Sequence, residues 1–383
     1  MALLAGATKV LTPASAQEAA VMLAEAAAAG GRVRFRGGGT KLGWGVAVDG
    51  DWVELDVGRL NRTLEHNVGD LTAIFEAGVP LARAQAQLAA AGQRLALDPP
   101  DGGATIGGVF ATGDAGPLRH RYGAPRDLIL GITVALSDGT IARAGGKVIK
   151  NVAGYDLAKL FTGAFGTLGL ILSVSVRLHP LPEAQVSARG VTADPGRLVE
   201  VVLALSAAPL ELEALDVAWS GGRGAVLAQV AGAKARRRAD RVAALMRERG
   251  LQEVEAITED EPLWAAQRAG QRTHAGALVR VGARASELPA IIAAADAARG
   301  TLVGRGGVGA FYLDCAPAAL PELLRSLPAR AHPVLLDAPP ELRVSPEQVW
   351  GAPEPRALEL MRQIKRRFDP AGACNPGVFV GGI

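Results

Sequence analysis

Apolar and polar positions in the first half of the chain switch repeatedly between a helical period and a period of two. Ser15 and Glu18 stand at capping-box spacing before an alanine-rich run that Gly30 and Gly31 close, which predicts a helix. Residues 32–36 (Arg-Val-Arg-Phe-Arg) then alternate strictly, a strand that runs into Gly37, Gly38 and Gly39. Residues 51–57 and 71–79 predict further strands. Residues 80–92 predict a helix with proline at its start and glycine at its end. A hairpin is expected over 127–145 around Asp138-Gly139, then a strand over 169–180 closed by Pro180.

Pro180 and Pro182 mark a boundary, after which the glycine-dense character fades. Residues 215–257 read as hairpin, helix and strand. Residues 277–338 read as strand, helix, hairpin, helix and strand. Two such units predict an antiparallel sheet of four to six strands with helices on one face, an α+β cap over 183–345. A helix over 354–368 and a tail ending "DPAGACNPGVFVGGI" complete the chain.

Composition narrows the class. A length of 383 residues exceeds one ordinary core, so more than one domain is expected. Hydrophobic residues at 49% and charged ones at 21% describe a globular protein. A net charge of +3 and 4% aromatics argue against nucleic acid. Cys315 and Cys374 form no CxxC pair and no zinc spacing, which suits a reducing cytoplasm. The start lacks a basic n-region, and Lys9 and Pro13 interrupt any apolar h-region, so no signal peptide is expected. The uncharged run 160–176 falls short of the roughly 18 residues of a membrane span and reads as a loop feeding a buried strand. No transmembrane segment is expected.

Candidate chemistry lies in three glycine-rich stretches: 37–40, 98–127 and 150–169. The first has two readings. Three glycines make a tight turn, or they present successive N–H groups as a nest for an anion, with Arg36 and Lys41 flanking. The only G-x-G-x-x-G, at Gly304, Gly306 and Gly309, precedes a strand instead of a helix and reads as a hairpin turn.

In sequence order, these stretches resemble the FAD-linked oxidases of the vanillyl-alcohol-oxidase and p-cresol-methylhydroxylase type. "RFRGGGTK" is similar to that family's first pyrophosphate loop, and "ATIGGVFATGDAG" to its second glycine loop. "NVAGYDLAKLFTGAFGTLGLI" is similar to its third, which covers ribose and adenine, and "FDPAGACNPG" to its C-terminal signature. The resemblance implies an α+β fold with a two-subdomain FAD-binding domain over 1–182, the smaller antiparallel α+β cap over 183–345, and a tail over 346–383 that returns to the FAD domain.

By the same resemblance, cofactor contacts fall on Arg36, Gly37, Gly38, Gly39, Thr40 and Lys41 in the first loop. In the second they fall on Pro99, Thr105, Ile106, Gly107, Gly108, Thr112, Gly113, Tyr122 and Gly123. In the third they fall on Gly154, Tyr155, Asp156, Gly166, Thr167, Gly169 and Ile171. Covalent members carry a histidine where this chain has Thr40, and the second attachment cysteine has no counterpart in 98–108, which implies noncovalent FAD. The usual serine of the third loop is Ala164.

Within the family the chain is most similar to the FAD-binding E subunits of bacterial glycolate oxidase (dehydrogenase) complexes. That likeness implies oxidation of glycolate to glyoxylate by a complex containing a second FAD-linked subunit and an iron–sulfur subunit. It further implies a cytoplasmic location, peripheral to the inner membrane through those partners. The alternative is a self-sufficient FAD-dependent dehydrogenase of D-lactate or a similar 2-hydroxy acid. A flavin-free structural subunit is a third class, against which the intact glycine loops count. Oxidising a 2-hydroxy acid needs a cation for the carboxylate and a base for the hydroxyl proton. No such catalytic set is legible. Arg121, Tyr122, Tyr155 and Asp156 read as loop-stabilising or flavin contacts. His66, His120, His179, His274 and His332 are too scattered for a local metal motif, so no metal is expected.

Overall fold

The computed structural model describes residues 7–100, 102–147 and 156–383. Three short strands, β1 (Ala7–Leu11), β2 (Val33–Arg36) and β3 (Trp52–Asp56), form a parallel sheet in the order β1-β3-β2. The helix Ala16–Ala28 provides the crossover from β1 to β2. Its N-cap is the expected one, Ser15 Oγ accepting from Glu18 N at 3.1 Å.

A second sheet is antiparallel and is built from β4 (Thr63–Asn67), β5 (Thr72–Glu76), β7 (Ile129–Ala135), β8 (Ile141–Gly145) and β9 (Leu170–Arg177) in the order β4-β5-β9-β7-β8. The short pair β6 (Gln93–Arg94) and β10 (His179–Pro180) stands apart. One hydrophobic cluster joins the two sheets, running from Leu23 and Leu55 through Phe75, Phe110 and Val174 to Cys374. The tail is therefore part of the core it returns to, and Val33 N donates to Ala373 O at 2.8 Å.

The remaining strands are β11 (Gln185–Thr192), β12 (Ala214–Ser220), β13 (Arg223–Ala231), β14 (Gln252–Ile257), β15 (Ala277–Gly282), β16 (Thr301–Arg305), β17 (Ala310–Cys315) and β18 (His332–Asp337). They make one antiparallel sheet of eight strands, ordered β14-β11-β13-β12-β16-β17-β15-β18, and not the expected four to six. Seven of the eight fall in segments that read as strands and all seven join this one sheet, and the eighth lies in residues 185–207, where β11 and the helix Pro195–Ala207 complete a first β-α-β-β-α-β unit. The second unit repeats the pattern, and the two join edge to edge through β12 and β16.

Strand alternation gives this sheet two distinct faces. Val217, Leu302, Phe311, Leu313, Val279 and Leu335 point into a core covered by the helices. The opposite face carries Asp216, Arg305, Tyr312, Arg280 and Leu278. There Leu278, Tyr312 and Leu336 pack against Trp44 from the first domain.

Two contacts fix the sheet to the rest of the chain. Glu213, at the foot of β12, accepts from Arg94 Nη2 at 2.7 Å and from Tyr122 Oη at 2.8 Å, and it pairs with Arg121 at 3.3 Å. Arg272 reaches back to Asp114 at 2.7 Å. No helix among the described residues is long and apolar enough to cross a membrane.

Candidate cofactor cleft

β2 and β3 end side by side, and Val57 N donates to Arg36 O as the last rung of their ladder. Beyond it the chain turns through Gly37, Gly38 and Gly39. Here the N–H groups of Gly37, Gly38, Gly39 and Thr40 have no acceptor among the described residues. Each glycine has its own reason to be there. Gly39 adopts φ +74°. A Cβ on Gly38 would lie 1.8 Å from Gly103 O, and one on Gly37 would lie 2.2 Å from Thr105 Oγ1. Only a backbone without side chains lets the first and second loops approach this closely.

These loops wall a cleft of about 910 Å³, part of it open to solvent. One side is residues 34–42 with Trp44 and Val57. The second is Thr105, Gly107, Gly108, Ala111 and Thr112. The third is Phe165, Gly166, Gly169, Leu170 and Ile171, and the tail closes the cleft with Asn375 and Val378. Residues 106–112 form a helix that the sequence does not announce, because its first turn is Ile-Gly-Gly. It holds by tertiary means. Thr105 caps it, Ile106 N donates to Val79 O and Gly107 N to Ala77 O, while Val109 and Phe110 sit in the core.

Charge at the mouth is balanced. Buried Glu54 accepts from Arg34 at 2.7 Å and from Arg36 at 3.0 Å. Burial raises the Glu54 pKa, but the hydrogen bonds from Arg36 and Arg34 outweigh it and hold the carboxyl below its ordinary value. The hydrogen bond and charge of Glu54 raise Arg36 in turn. Lys41 pairs with buried Asp114 at 3.3 Å, and Asp114 also takes Arg272, so both cations stand over the Trp44 ring.

Of the residues singled out in the sequence, Arg36, Gly37, Gly38, Gly39, Thr40, Lys41, Thr105, Gly107, Gly108, Thr112, Gly166, Gly169 and Ile171 line this cleft together. Others lie elsewhere. Ile106 is fully buried in the core. Thr167 is buried, with its hydroxyl on Ala164 O. Pro99, Gly113 and Gly123 support the second loop outside the lining. Tyr122 belongs to the Glu213 clamp and packs edge-on against His179. Asp156 is exposed and pairs with Lys159. Gly154 and Tyr155 lie outside the described residues.

The sequence reading passed over Trp44, Phe165 and Asn375. Phe165 sits at φ +55° and packs on Trp350 and Phe379 with ring centroids 5.0 and 5.5 Å away. Asn375 falls inside the C-terminal signature, and that signal could have found it.

The cleft suits a dinucleotide. Its walls combine glycine backbone and apolar side chains with Arg36, Lys41 and threonines, and the N–H groups at the β2 turn that find no acceptor among the described residues suit an anionic group. Both cysteines are buried and neither lines it.

Comparison with known proteins agrees. Residues 7–145 match the FAD binding domain, and residues 352–379 match the C-terminal domain of FAD linked oxidases. An uncharacterised FAD-linked oxidoreductase of Mycobacterium tuberculosis is 28% identical over 96% of this chain and 90% of its own length. The glycolate oxidase subunit GlcE of Escherichia coli is 40% identical over 137 residues, covering 35% of this chain and 39% of that one. Among solved structures, an alkyldihydroxyacetonephosphate synthase shares the fold with a TM-score of 0.70 at 14% identity, covering 96% of this chain and 76% of that one. With an FAD binding domain and the C-terminal domain of FAD linked oxidases in one chain and this cleft lined by both, the protein resembles the vanillyl-alcohol-oxidase and p-cresol-methylhydroxylase type and is an FAD-dependent oxidoreductase.

Proposed function

We propose that this chain is the FAD-binding redox subunit of a glycolate oxidase (dehydrogenase)-like complex that oxidises glycolate or a similar 2-hydroxy acid. The observation that carries the cofactor reading is the run of acceptor-free N–H groups at 37–40 above the cleft. Likeness to proteins named glycolate oxidase subunits GlcE and GlcD supports the subunit role, and the partners we propose are a second FAD-linked subunit and an iron–sulfur subunit. When bound, FAD supplies a two-electron acceptor for the substrate. The chain's own residues hold it: 37–40 at the diphosphate, Thr105 to Thr112 along one side, and Phe165 to Ile171 with Asn375 along the other. Thr40 offers no nitrogen for a flavin linkage and neither buried cysteine is in the cleft lining, which supports a noncovalent flavin. The site is cytoplasmic, with any membrane contact made through partners.

A second reading, a self-sufficient 2-hydroxy-acid dehydrogenase, draws on the near full-length match to an oxidoreductase not named as a subunit. One experiment separates them. Acid precipitation of the purified chain should release all yellow colour to the supernatant. The FAD-loaded chain alone should barely pass electrons from glycolate or D-lactate to an acceptor dye, and activity should appear when the two partner subunits are added. Colour kept in the pellet overturns noncovalent binding. Rapid anaerobic bleaching of the isolated chain by a 2-hydroxy acid establishes the second reading instead.

A further inference from the structure

Buried Asp114 joins the cofactor cleft to the cap. Its place is set by the end of the helix Ile106–Thr112, where Gly113 turns left-handed at φ +66° and Asp114 N donates to Val109 O at 3.2 Å. The side chain is only 1% exposed, and a cation reaches it from each side. Lys41, in the first glycine loop, stands 3.3 Å from Oδ2 and lines the cleft. Arg272, from the cap, donates to the same oxygen at 2.7 Å and is not part of the cleft lining. Oδ1 has no hydrogen-bond partner among the described residues, so the two cations share one oxygen.

The segment that carries Arg272 is itself fastened. It runs from the helix Glu261–Ala269 to β15, and Asp314 on β17 holds it. His274 N and Ala275 N both donate to Asp314 Oδ2 at 2.9 Å, and Thr273 Oγ1 donates to Oδ1 at 2.8 Å. A Cβ on Gly270 would lie 2.7 Å from Val303, so the segment also sits tightly on β16. Arg272 is therefore brought to Asp114 by the docking of the cap as a body. The same docking surface includes Trp44, whose ring lies 5.9 Å from Lys41 Nζ and 5.1 Å from the Arg272 guanidinium carbon and packs with Leu278, Tyr312 and Leu336.

A carboxylate this deeply buried is costly without a cation. With the cap docked, Arg272 makes the shorter contact and Lys41 the longer, and Lys41 Nζ also reaches Thr40 Oγ1 at 3.2 Å. One carboxylate then faces two cations, which leaves a positive charge over beside the N–H groups of residues 37–40. Without Arg272, the charge of Lys41 is cancelled by Asp114.

We propose that Asp114 is a positioning residue that links cofactor binding to cap docking: through Arg272 the docked cap frees the charge of Lys41 for the diphosphate of FAD, and bound FAD in turn holds the cap in place. Linkage makes the effect reciprocal. The proposal rests on the reading of a noncovalent FAD with its diphosphate at 37–40. Neither Asp114 nor Arg272 lines the cleft, so both act through Lys41.

The test uses the full chain stripped of flavin and titrated with FAD, read by flavin fluorescence, together with hydrogen–deuterium exchange of residues 270–276. Arg272→Met should weaken FAD binding about tenfold, and Arg272→Lys should recover most of that loss. In the wild type, FAD should slow exchange over 270–276 about tenfold. In Asp114→Asn, exchange there should no longer respond to saturating FAD, whereas a purely structural residue would alter exchange equally with and without FAD. The Arg272 side chain is 22% exposed, so its variants keep the test open if Asp114→Asn misfolds. Wild-type FAD affinity in folded Arg272→Met, or FAD-dependent protection that survives in Asp114→Asn, overturns the proposal. Failure of the noncovalent reading shows separately, as flavin that acid precipitation leaves in the pellet.

Discussion

Asn375 Nδ2 donates to the carbonyl of Phe165 at 2.6 Å, while its Oδ1 accepts from Phe35 N at 3.1 Å. One side chain from the tail thus joins the end of β2 to the third loop, across the mouth of the cleft. Asn375 N also donates to Val33 O. Asn375→Leu leaves two backbone groups without partners, at about 1–3 kcal/mol each. We expect FAD affinity to fall at least tenfold, read from flavin fluorescence on titration. Asn375→Asp, which keeps the acceptor for Phe35, should lose less. Equal affinity in wild type and Asn375→Leu would show that the tail does not shape the site.

Gly38→Val should abolish FAD binding while the cap remains folded. From sequence alone, the expected obstacle is either a positive φ or the space of the phosphate. In the structure the positive φ belongs to Gly39, and at Gly38 the Cβ meets Gly103 O at 1.8 Å. A backbone carbonyl cannot step aside as a side chain can, so the two loops must separate. Unchanged flavin stoichiometry in this variant would reduce residues 37–40 to a plain turn.

Glu213→Ala should destabilise the protein by about 3–5 kcal/mol, because it strands Arg94 in a buried site and removes the acceptor for Tyr122. Glu213→Gln keeps an acceptor and should cost less. Denaturant unfolding followed by tryptophan fluorescence measures both. An unchanged free energy for Glu213→Ala would mean that this cluster does not hold the cap in place.

Asp98 gives the protein a pH dependence of known sign. Burial pushes its carboxyl up to about 7, against the hydrogen bond from Leu118 N and the charges of Arg305 and Arg268, with Asp216 adding to the rise. The folded state therefore keeps a proton that the unfolded chain gives up near pH 4. The stability this confers is full below about pH 4 and is lost as pH rises through about 7. Asp98→Asn keeps an acceptor for Leu118 and removes the titration. Relative to this variant, the wild type should lose melting temperature steadily from about pH 4 to about pH 7. A constant difference across that range would contradict the burial assigned to Asp98.

What the sequence alone determined was local or carried by a contiguous motif. The Ser15 cap, the Asp138-Gly139 hairpin and the strand into Gly37 depend on neighbours in the chain, and each is found where the pattern puts it. The three glycine loops, read by resemblance, came out as walls of one cleft. The tertiary structure decided the rest. The helix Ile106–Thr112 has poor intrinsic propensity and forms because Val79, Ala77 and the core take up its groups. The eighth-strand count required β11, whose Gln-Val-Ser-Ala-Arg-Gly-Val-Thr pattern is stabilised by its neighbours β13 and β14 more than by its own residues. Tyr122 is absent from the cleft lining, and its hydroxyl donates to buried Glu213, 91 residues on. Arg280 and Arg305 meet Tyr312 on one face of the cap sheet, and Tyr312 packs with Trp44 of the first domain, although long stretches of sequence separate them. Their proximity arises from strand register and from the docking of one domain on the other, and neither is written in the spacing of residues along the chain.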